Sequence, residues 1–351
     1  MNILVLSGGI SPEREVSLSS GSRIANSLIE NGHKVAFADV YIGVKNIPEN
    51  IGDLFLSSPD YSYSISEKEP DLDALIRSNG GRKAYIGEGI IELCEYADVV
   101  FLGLHGGAGE NGTIQAALDA MGIAHYTGSG YSGCLLAMDK NLSKHLMRSA
   151  GVNTADWITV DASKPEAADT IIKGIGVPCV IKPCGCGSSC GVSIVNSDEE
   201  LIAALEYAKK YENSVLAEKK IIGREFSVGI LDGKALPPIE ILPLQGWYDY
   251  KNKYQSGLTK EVTPADLTPE QTDAVSRAAL TVHKALGLGS YSRIDFLLDE
   301  KTGKFVCLEA NALPGMTPTS LLPQEAAAVG IDYHQLCEKI VISALEKRSE
   351  K

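Results

Sequence analysis

Three times in this chain a short apolar run stops at a cluster of glycines. Residues 2–6 run into Ser7-Gly8-Gly9. Residues 98–104 (Asp-Val-Val-Phe-Leu-Gly-Leu) run into His105-Gly106-Gly107-Ala108-Gly109-Glu110-Asn111-Gly112. Residues 177–182 end at Lys182-Pro183, before Cys184-Gly185-Cys186-Gly187-Ser188-Ser189-Cys190-Gly191. Short apolar runs bounded by turn residues read as buried strands. Glycine at a strand end lets the backbone bend, and lets it approach a ligand where a side chain would block it. The 35 glycines among 351 residues are ~10% of the chain, above the usual ~7%. They concentrate at 8–9, 106–112, 128–133 and 185–191.

The first run continues as strand, loop, helix, strand. Ser11-Pro12 is a helix start, with Ser as N-cap and Pro at the first helical position. Ile24 and Leu28 share a face, Asn31-Gly32 closes the helix, and 34–40 is the next strand. That order predicts an open α/β domain at the N-terminus. Residues 43–96 are less periodic and read as a partly mobile insertion without chemistry. One long helix is expected over 132–149, with Lys140 in its middle. The loop 184–191 lies between strands 177–182 and 192–195, which suggests a hairpin. Ser197/Glu200 and Thr268/Gln271 read as capping boxes. Strands are expected at 214–219, 225–231 and 239–242, followed by a wet aromatic loop from Leu244 to Thr263. A second hairpin spans 290–298 and 304–311, and a final helix covers 332–347.

Composition excludes several classes. A net charge of −13 with 6% aromatic residues is a poor basis for nucleic-acid binding, which needs clustered Lys and Arg. Apolar runs such as Val99–Leu102 are far short of the ~20 residues that span a bilayer. The N-terminus has no basic region before its short apolar stretch, so no signal peptide is expected. The eight cysteines then fit a cytoplasmic, reduced protein. Cys184, Cys186 and Cys190 lack the paired C-x₂-C spacing of a zinc site. The length allows two to three domains.

The second hairpin carries the most chemistry. Arg293 and Asp295 are two apart and share a face, as do Glu309 and Asn311. With the turn centred near Lys301, Arg293 lies opposite Glu309 and Asp295 lies diagonal to it. Two carboxylates and a carboxamide on adjacent strands suit Mg²⁺, which takes hard oxygen ligands alongside nucleotide phosphates. The other reading is a solvated polar face. The apolar flanks Phe296-Leu297-Leu298 and Phe305-Val306-Cys307-Leu308 weigh against it. Lys182, before a glycine loop, can neutralise a phosphate that backbone N–H groups cradle. By itself such a loop is also an ordinary tight turn. It is neither a Walker A loop nor a dinucleotide fingerprint.

Nine motifs occur in the order found in one family. They are Ser11-Pro12-Glu13-Arg14-Glu15-Val16-Ser17-Leu18, His105-Gly106, Tyr126-Thr127-Gly128-Ser129-Gly130, Met138-Asp139-Lys140, Ile181-Lys182-Pro183, Gly187-Ser188-Ser189, Arg293-Ile294-Asp295, Leu308-Glu309-Ala310-Asn311 and Pro314-Gly315-Met316-Thr317. In this the chain resembles the D-alanine–D-alanine ligases of the ATP-grasp superfamily. The resemblance covers nearly the whole chain, least well at 43–96. It implies an α/β and α+β protein: an N-terminal open α/β (pre-ATP-grasp) domain, 1–128, and a two-lobed ATP-grasp fold. The central lobe would be 129–218 and the C-terminal lobe 219–351, with a mobile loop at 244–263.

The resemblance further implies that ATP phosphorylates the carboxylate of one D-alanine, and that the amine of a second displaces the phosphate. The product would serve cell-wall peptidoglycan synthesis. Asp295, Glu309 and Asn311 would hold Mg²⁺ or Mn²⁺. Lys140 and Lys182 would bind phosphate, with Lys253 reaching the γ-phosphate. Glu218, Lys219 and the backbone at Ile221 would meet adenine, and Glu225 the ribose. Glu15 would hold the first D-alanine's ammonium, through a chain with Ser188 and Tyr254 and with His105 nearby. Arg293 and the Gly315 N–H would stabilise the oxyanion, and Ser320 and Leu321 would bind the second D-alanine's carboxylate. The implied partners are ATP, D-alanine and a second copy of the chain, in the cytoplasm, with no nucleic acid or membrane. The alternative is a sibling ligase that takes D-serine or D-lactate second. Lys253-Tyr254 and Ser320-Leu321 favour D-alanine and disfavour lactate. The chain departs from the family at Cys184-Gly185-Cys186, at Cys190, and at Pro318-Thr319 before Ser320.

Overall fold

The computed structural model describes residues 1–65, 70–248, 252 and 257–346. Strands β1 (Asn2–Ser7), β2 (Lys34–Asp39) and β3 (Val99–Leu102) form a parallel sheet in the order β2-β1-β3. A parallel pair needs a crossover, and the helix Arg14–Glu30 supplies it between β1 and β2. Ile3, Leu4, Val5 and Leu6 are all fully buried, as are Val99, Val100 and Phe101. Continuous apolar runs belong in a sheet covered on both faces.

The first helix starts later than its capping signal suggests. Ser11 donates its hydroxyl to the His105 carbonyl (2.7 Å) and so is engaged across the sheet end instead of capping. The N-cap position falls to Glu13, whose side chain makes no cap hydrogen bond. That side chain is released toward the neighbouring loops.

Strands β4 (Trp157–Asp161), β5 (Cys179–Pro183), β6 (Ser193–Val195) and β7 (Ser214–Lys219) form an antiparallel sheet, order β4-β7-β5-β6. β5 and β6 are the hairpin that carries the third glycine loop. The helices Ala167–Gly174 and Asp198–Lys209 bury Ile171, Leu201 and Leu205 in a core with Ile181, Val195 and Val215.

The third sheet contains β8 (Gly223–Leu231), β9 (Lys234–Ala235), β10 (Ile239–Pro243), β11 (Thr259–Val262), β12 (Tyr291–Asp299) and β13 (Phe305–Asn311). Its order is β11-β10-β8-β12-β13, with β9 on β8. On β12, Ile294 and Phe296 are fully buried against the helix Pro269–Ala285, while Arg293, Asp295 and Leu297 take the opposite face. The Thr268–Gln271 capping box forms as expected. The other is half formed: Ser197 accepts from the Glu200 N–H, but Glu200 reaches back to the N–H of Asn196.

Two expectations are corrected. The β12–β13 register places Arg293 opposite Asn311 and Asp295 opposite Glu309, because the ladder shifts between Asp295 and Phe296. Glu309 faces Asp295 and Cys307 faces Phe296, so Leu308 is the extra residue of a bulge. The single helix over 132–149 is two helices, Tyr131–Met138 and Lys140–Ser149. Asp139 breaks it by turning extended and accepting from the N–H groups of Asn141 and Leu142.

Packing crosses the sheet boundaries. Cys134, Ala137 and Met147 of that helix pair lie in the core of the third sheet. The helix Tyr333–Glu346 packs its Leu336, Cys337 and Ile340 into the core of the first. Among the described residues no helix is long and apolar enough to cross a membrane.

Candidate active site

A cleft of about 550 Å³ opens where the three sheets meet. Its walls include Glu13, His105 and Glu110 from the first unit, Lys140 from the helix pair, and Gly187 and Ser188 from the glycine loop of the second sheet. Arg293, Glu309, Asn311, Gly315, Ser320 and Leu321 come from the third. Nine of the residues singled out from sequence therefore converge on one cavity: His105, Lys140, Ser188, Arg293, Glu309, Asn311, Gly315, Ser320 and Leu321.

Of the two acids in the first motif, the structure brings Glu13 to the site. Ser188 donates its hydroxyl to Glu13 Oε1. Glu15 lies two residues into the helix, where Tyr63 donates to its Oε2 at 2.8 Å, and it does not line the cleft. Of the two carboxylates, Glu13 is the one that faces the cleft. Two glycine loops make room for that carboxylate. A Cβ at Gly106 would come within 2.0 Å of Glu13 Oε2, and one at Gly187 within 3.2 Å of either oxygen. Gly106 also has φ +67, which a side chain rarely adopts. Ser188 (φ 48) and Ser189 (φ 59) sit in the same left-handed region despite their side chains. Such strain is characteristic of functional loops.

His105 is buried against the Leu313 carbonyl (Nδ1, 3.2 Å) and the Ser20 hydroxyl (Nε2, 3.2 Å). A carbonyl only accepts, which assigns the proton to Nδ1. Burial pushes its pKa down to about 4, so the ring is neutral at physiological pH. Glu110 was not singled out from sequence. It accepts from the Gly106 N–H (3.1 Å) and lines the cleft. Burial, followed by the nearby Glu13, pushes its carboxyl up to about 7.

On the hairpin, Arg293 grips Asp295 with two hydrogen bonds, Nε to Oδ1 at 3.0 Å and an amino group to Oδ2 at 2.9 Å. Asp295 also accepts from Ser227 (2.6 Å) and from Asn311 Nδ2 (3.0 Å). Burial opposes the guanidinium charge, but Asp295 outweighs it and holds Arg293 firmly protonated. Two carboxylates and a carboxamide meet here through adjacent strands, with Glu309 facing Asp295. With the Asn311 Nδ2 engaged by Asp295, its amide oxygen is the donor left for a hard cation. The set fits Mg²⁺ or Mn²⁺ by its chemistry. Among the described residues no group of three or more His, Cys, Asp or Glu converges as metal ligands.

Lys140 stands at the first turn of its helix because Asp139 breaks the chain there. Its Nζ donates to the Cys186 carbonyl (2.5 Å) and lies 3.5 Å from Glu309 Oε2. It thus ties the glycine loop to the hairpin. Lys182 is buried at the end of β5, with Nζ 2.5 Å from Glu218 Oε1. Burial works against the charge of Lys182, but Glu218 and then Glu309 prevail and raise its pKa. Glu218 also meets Lys144. Lys219 turns outward, 3.5 Å from Asp156. Ile221 lies between β7 and β8, half-buried, and Glu225 is half-buried on β8. Lys182, Glu218, Lys219, Ile221, Glu225 and Asp295 do not line the cleft itself. Lys253 and Tyr254 lie outside the described residues.

The second-substrate motif folds into a tight turn. Ser320 Oγ accepts from the Thr317 N–H (3.1 Å), and a Cβ at Gly315 would meet that oxygen at 3.0 Å. Leu321 packs with Ile239, Ile241 and Tyr248. Tyr248 and Glu261 also line the cleft and were missed, as was Ile65 from the 43–96 insertion. Tyr248 is anchored through its carbonyl to Ser189 and its hydroxyl to Glu261. Tyr248 in a loop and Glu261 on the edge strand β11, inside the stretch expected to be loop, carry no sequence signal of their own.

Comparison with known proteins accords with this geometry. Residues 2–129 match the family described as D-ala D-ala ligase N-terminus, and residues 146–342 the D-ala D-ala ligase C-terminus. The D-alanine–D-alanine ligase of Pediococcus pentosaceus is 42% identical over 97% of this chain and 97% of that protein. The ligase of Lacticaseibacillus casei is 40% identical over 99% and 96%. Among solved structures, the Bacillus anthracis ligase complexed with ATP superposes with a TM-score of 0.75 at 32% identity. That match covers 100% of this chain and 98% of the other. With matches to both halves of the family and relatives spanning nearly its full length, the chain belongs to the D-alanine–D-alanine ligases, on the ATP-grasp fold.

Proposed function

We propose that this protein joins two D-alanines into D-alanyl-D-alanine with ATP, as a cytoplasmic step of peptidoglycan precursor synthesis. The observation that carries this reading is the convergence of Glu13–Ser188, Arg293, Glu309 and Asn311 on one cleft, with Asp295 directly behind, bound by Arg293 and facing Glu309. A carboxylate is a poor acylating agent. An oxygen of the first D-alanine's carboxylate attacks the γ-phosphorus of ATP, and ADP leaves. The amine of the second D-alanine then attacks the acyl carbon, the C–O bond to phosphate breaks, and phosphate departs.

Each residue has work in that sequence. Glu13, held by Ser188, receives the first D-alanine's ammonium. Neutral His105 accompanies it without adding charge. Arg293 and the Gly315 N–H meet the oxyanion of the tetrahedral intermediate. Ser320 and the backbone at Leu321 hold the second carboxylate. Lys140 and Lys182, with Lys253 from the 244–263 loop, neutralise phosphate oxygens. Glu218, Lys219 and Ile221 meet adenine, and Glu225 meets ribose. Asp295, Glu309 and Asn311 would hold Mg²⁺, which when bound screens the phosphate charge. Closure of the 244–263 loop would keep water from a hydrolysable acyl phosphate. We take the lobes as 1–128, 129–218 and 219–351, and the active form as a homodimer, on the strength of the family resemblance.

The test is mass spectrometry of the product made from ATP, Mg²⁺ and an equimolar mixture of D-alanine, D-serine and D-lactate. The expected product is D-alanyl-D-alanine, with one phosphate released per dipeptide. ADP without dipeptide would refute ligation, and a dominant mixed product would overturn D-alanine as second substrate.

A further inference from the structure

Lys144 is 1% exposed. A lysine so deeply buried is uncommon unless it is paired. Its Nζ lies 2.7 Å from Glu218 Oε2 and 2.6 Å from Thr154 Oγ1. Glu218 is 3% exposed, and its other oxygen, Oε1, takes Lys182 at 2.5 Å. One buried carboxylate is therefore shared by two ammonium groups on different elements. Lys144 belongs to the helix Lys140–Ser149, and Lys182 to the end of β5, directly before the glycine loop.

The two lysines are not equally free to move. The helix of Lys144 is pinned to Trp157, which stands opposite Glu218 in the β4–β7 ladder. The Trp157 Nε1–H donates to Asn141 Oδ1 at 2.9 Å. Lys144 Nζ lies 5.2 Å from that ring centroid, and Arg148 stacks at 4.4 Å. Residues 141, 144 and 148 form one helix face, so Lys144 is held on the Glu218 side from two directions. Among the described residues no aromatic ring or hydroxyl holds the Lys182 ammonium in the same way. A lysine that binds phosphate must share or give up its contact with Glu218. It can do so only if the carboxylate keeps another cation, because a buried charge left unpaired is strongly unfavourable.

We propose that Lys144 is a positioning residue: the permanent counter-ion of Glu218, which lets Lys182 turn from that carboxylate to a nucleotide phosphate. This rests on the ATP-binding reading above. Burial lowers the Lys144 pKa, and the contact with Glu218 opposes that shift.

The test is a calorimetric titration of the full chain with Mg·ATP. Lys144→Met leaves Lys182 as the one cation on Glu218 among the described residues, and ATP binding should weaken at least tenfold. In a Glu218→Gln background there is no carboxylate to hold Lys182, so adding Lys144→Met should change ATP binding by less than twofold. A residue that merely packs would weaken binding equally in both backgrounds, and that result overturns the proposal. So does wild-type affinity in Lys144→Met. If Lys144→Met alone does not fold, the comparison of Glu218→Gln with the double variant decides. A wild-type protein that does not bind ATP would instead refute the functional reading.

Discussion

The two ends of the site handle buried carboxylates in opposite ways. At the amino-acid end, Glu13 and Glu110 share a pocket bounded by glycines, and Glu110 is pushed up to about 7 by burial and by its acidic neighbour. At the nucleotide end, burial alone would raise the Glu218 carboxyl. Lys182 and Lys144 overcome it and draw the pKa down. The chemistry is the same and the neighbours decide the direction. On the function proposed above, one end receives an ammonium and the other phosphates.

The largest expected effect tests the face where the two ends meet. Glu309→Gln keeps the side chain's size but removes one of the paired charges opposite Asp295. Turnover should fall by ~10²-fold or more, the scale of losing a placed electrostatic group at a transition state. Circular dichroism should show the fold unchanged. Wild-type turnover would break the assignment of this face.

The next sharpens the amino-acid end. Glu13→Gln should raise the KM for D-alanine by ~30-fold or more, since removing one member of a buried charge pair typically costs about 2–5 kcal/mol. Glu15→Gln should stay within a few-fold of wild type. Steady-state kinetics on the pair decides, and the reverse ranking would return the role to Glu15.

The last prediction concerns stability and leaves turnover aside. The raised Glu110 carboxyl binds its proton more tightly folded than unfolded. Its contribution is therefore fully present below the unfolded glutamate value of 4.5 and is lost as pH climbs toward about 7. Glu110→Gln removes this dependence. Between pH 4.5 and 7 the variant should gain on wild type by about 2–3 kcal/mol in urea denaturation. A constant difference across that range would contradict the raised carboxyl.

The same contrast explains how much of the site was legible in the sequence. The hairpin residues were, because period-two alternation keeps 293 with 295 and 309 with 311, and the observed pairing differs from the expected one at Arg293 by two residues, which leaves all four on one face. Their pairing was not, because Leu308 bulges and nothing in its type announces it. The first motif offered two acids two residues apart. Which one enters the cleft depends on where the helix begins, and that depends on the hydroxyl of Ser11 reaching a carbonyl ninety-four residues away. Spacing alone put Lys140 in mid-helix, and its place at a helix start depends on Asp139. Lys144, one turn on, has no sequence mark at all, since its burial is conferred by β4 and β7.

The central claim is that the two ends meet through an acyl phosphate. It is tested most directly by supplying D-alanine labelled with ¹⁸O in both carboxylate oxygens. Attack on the γ-phosphorus makes one of those oxygens the bridge to phosphorus, and cleavage of the C–O bond releases it with phosphate. The expected result is one ¹⁸O in each phosphate formed, with the other kept in the dipeptide carbonyl. Phosphate that carries no label while dipeptide accumulates would contradict the mechanism.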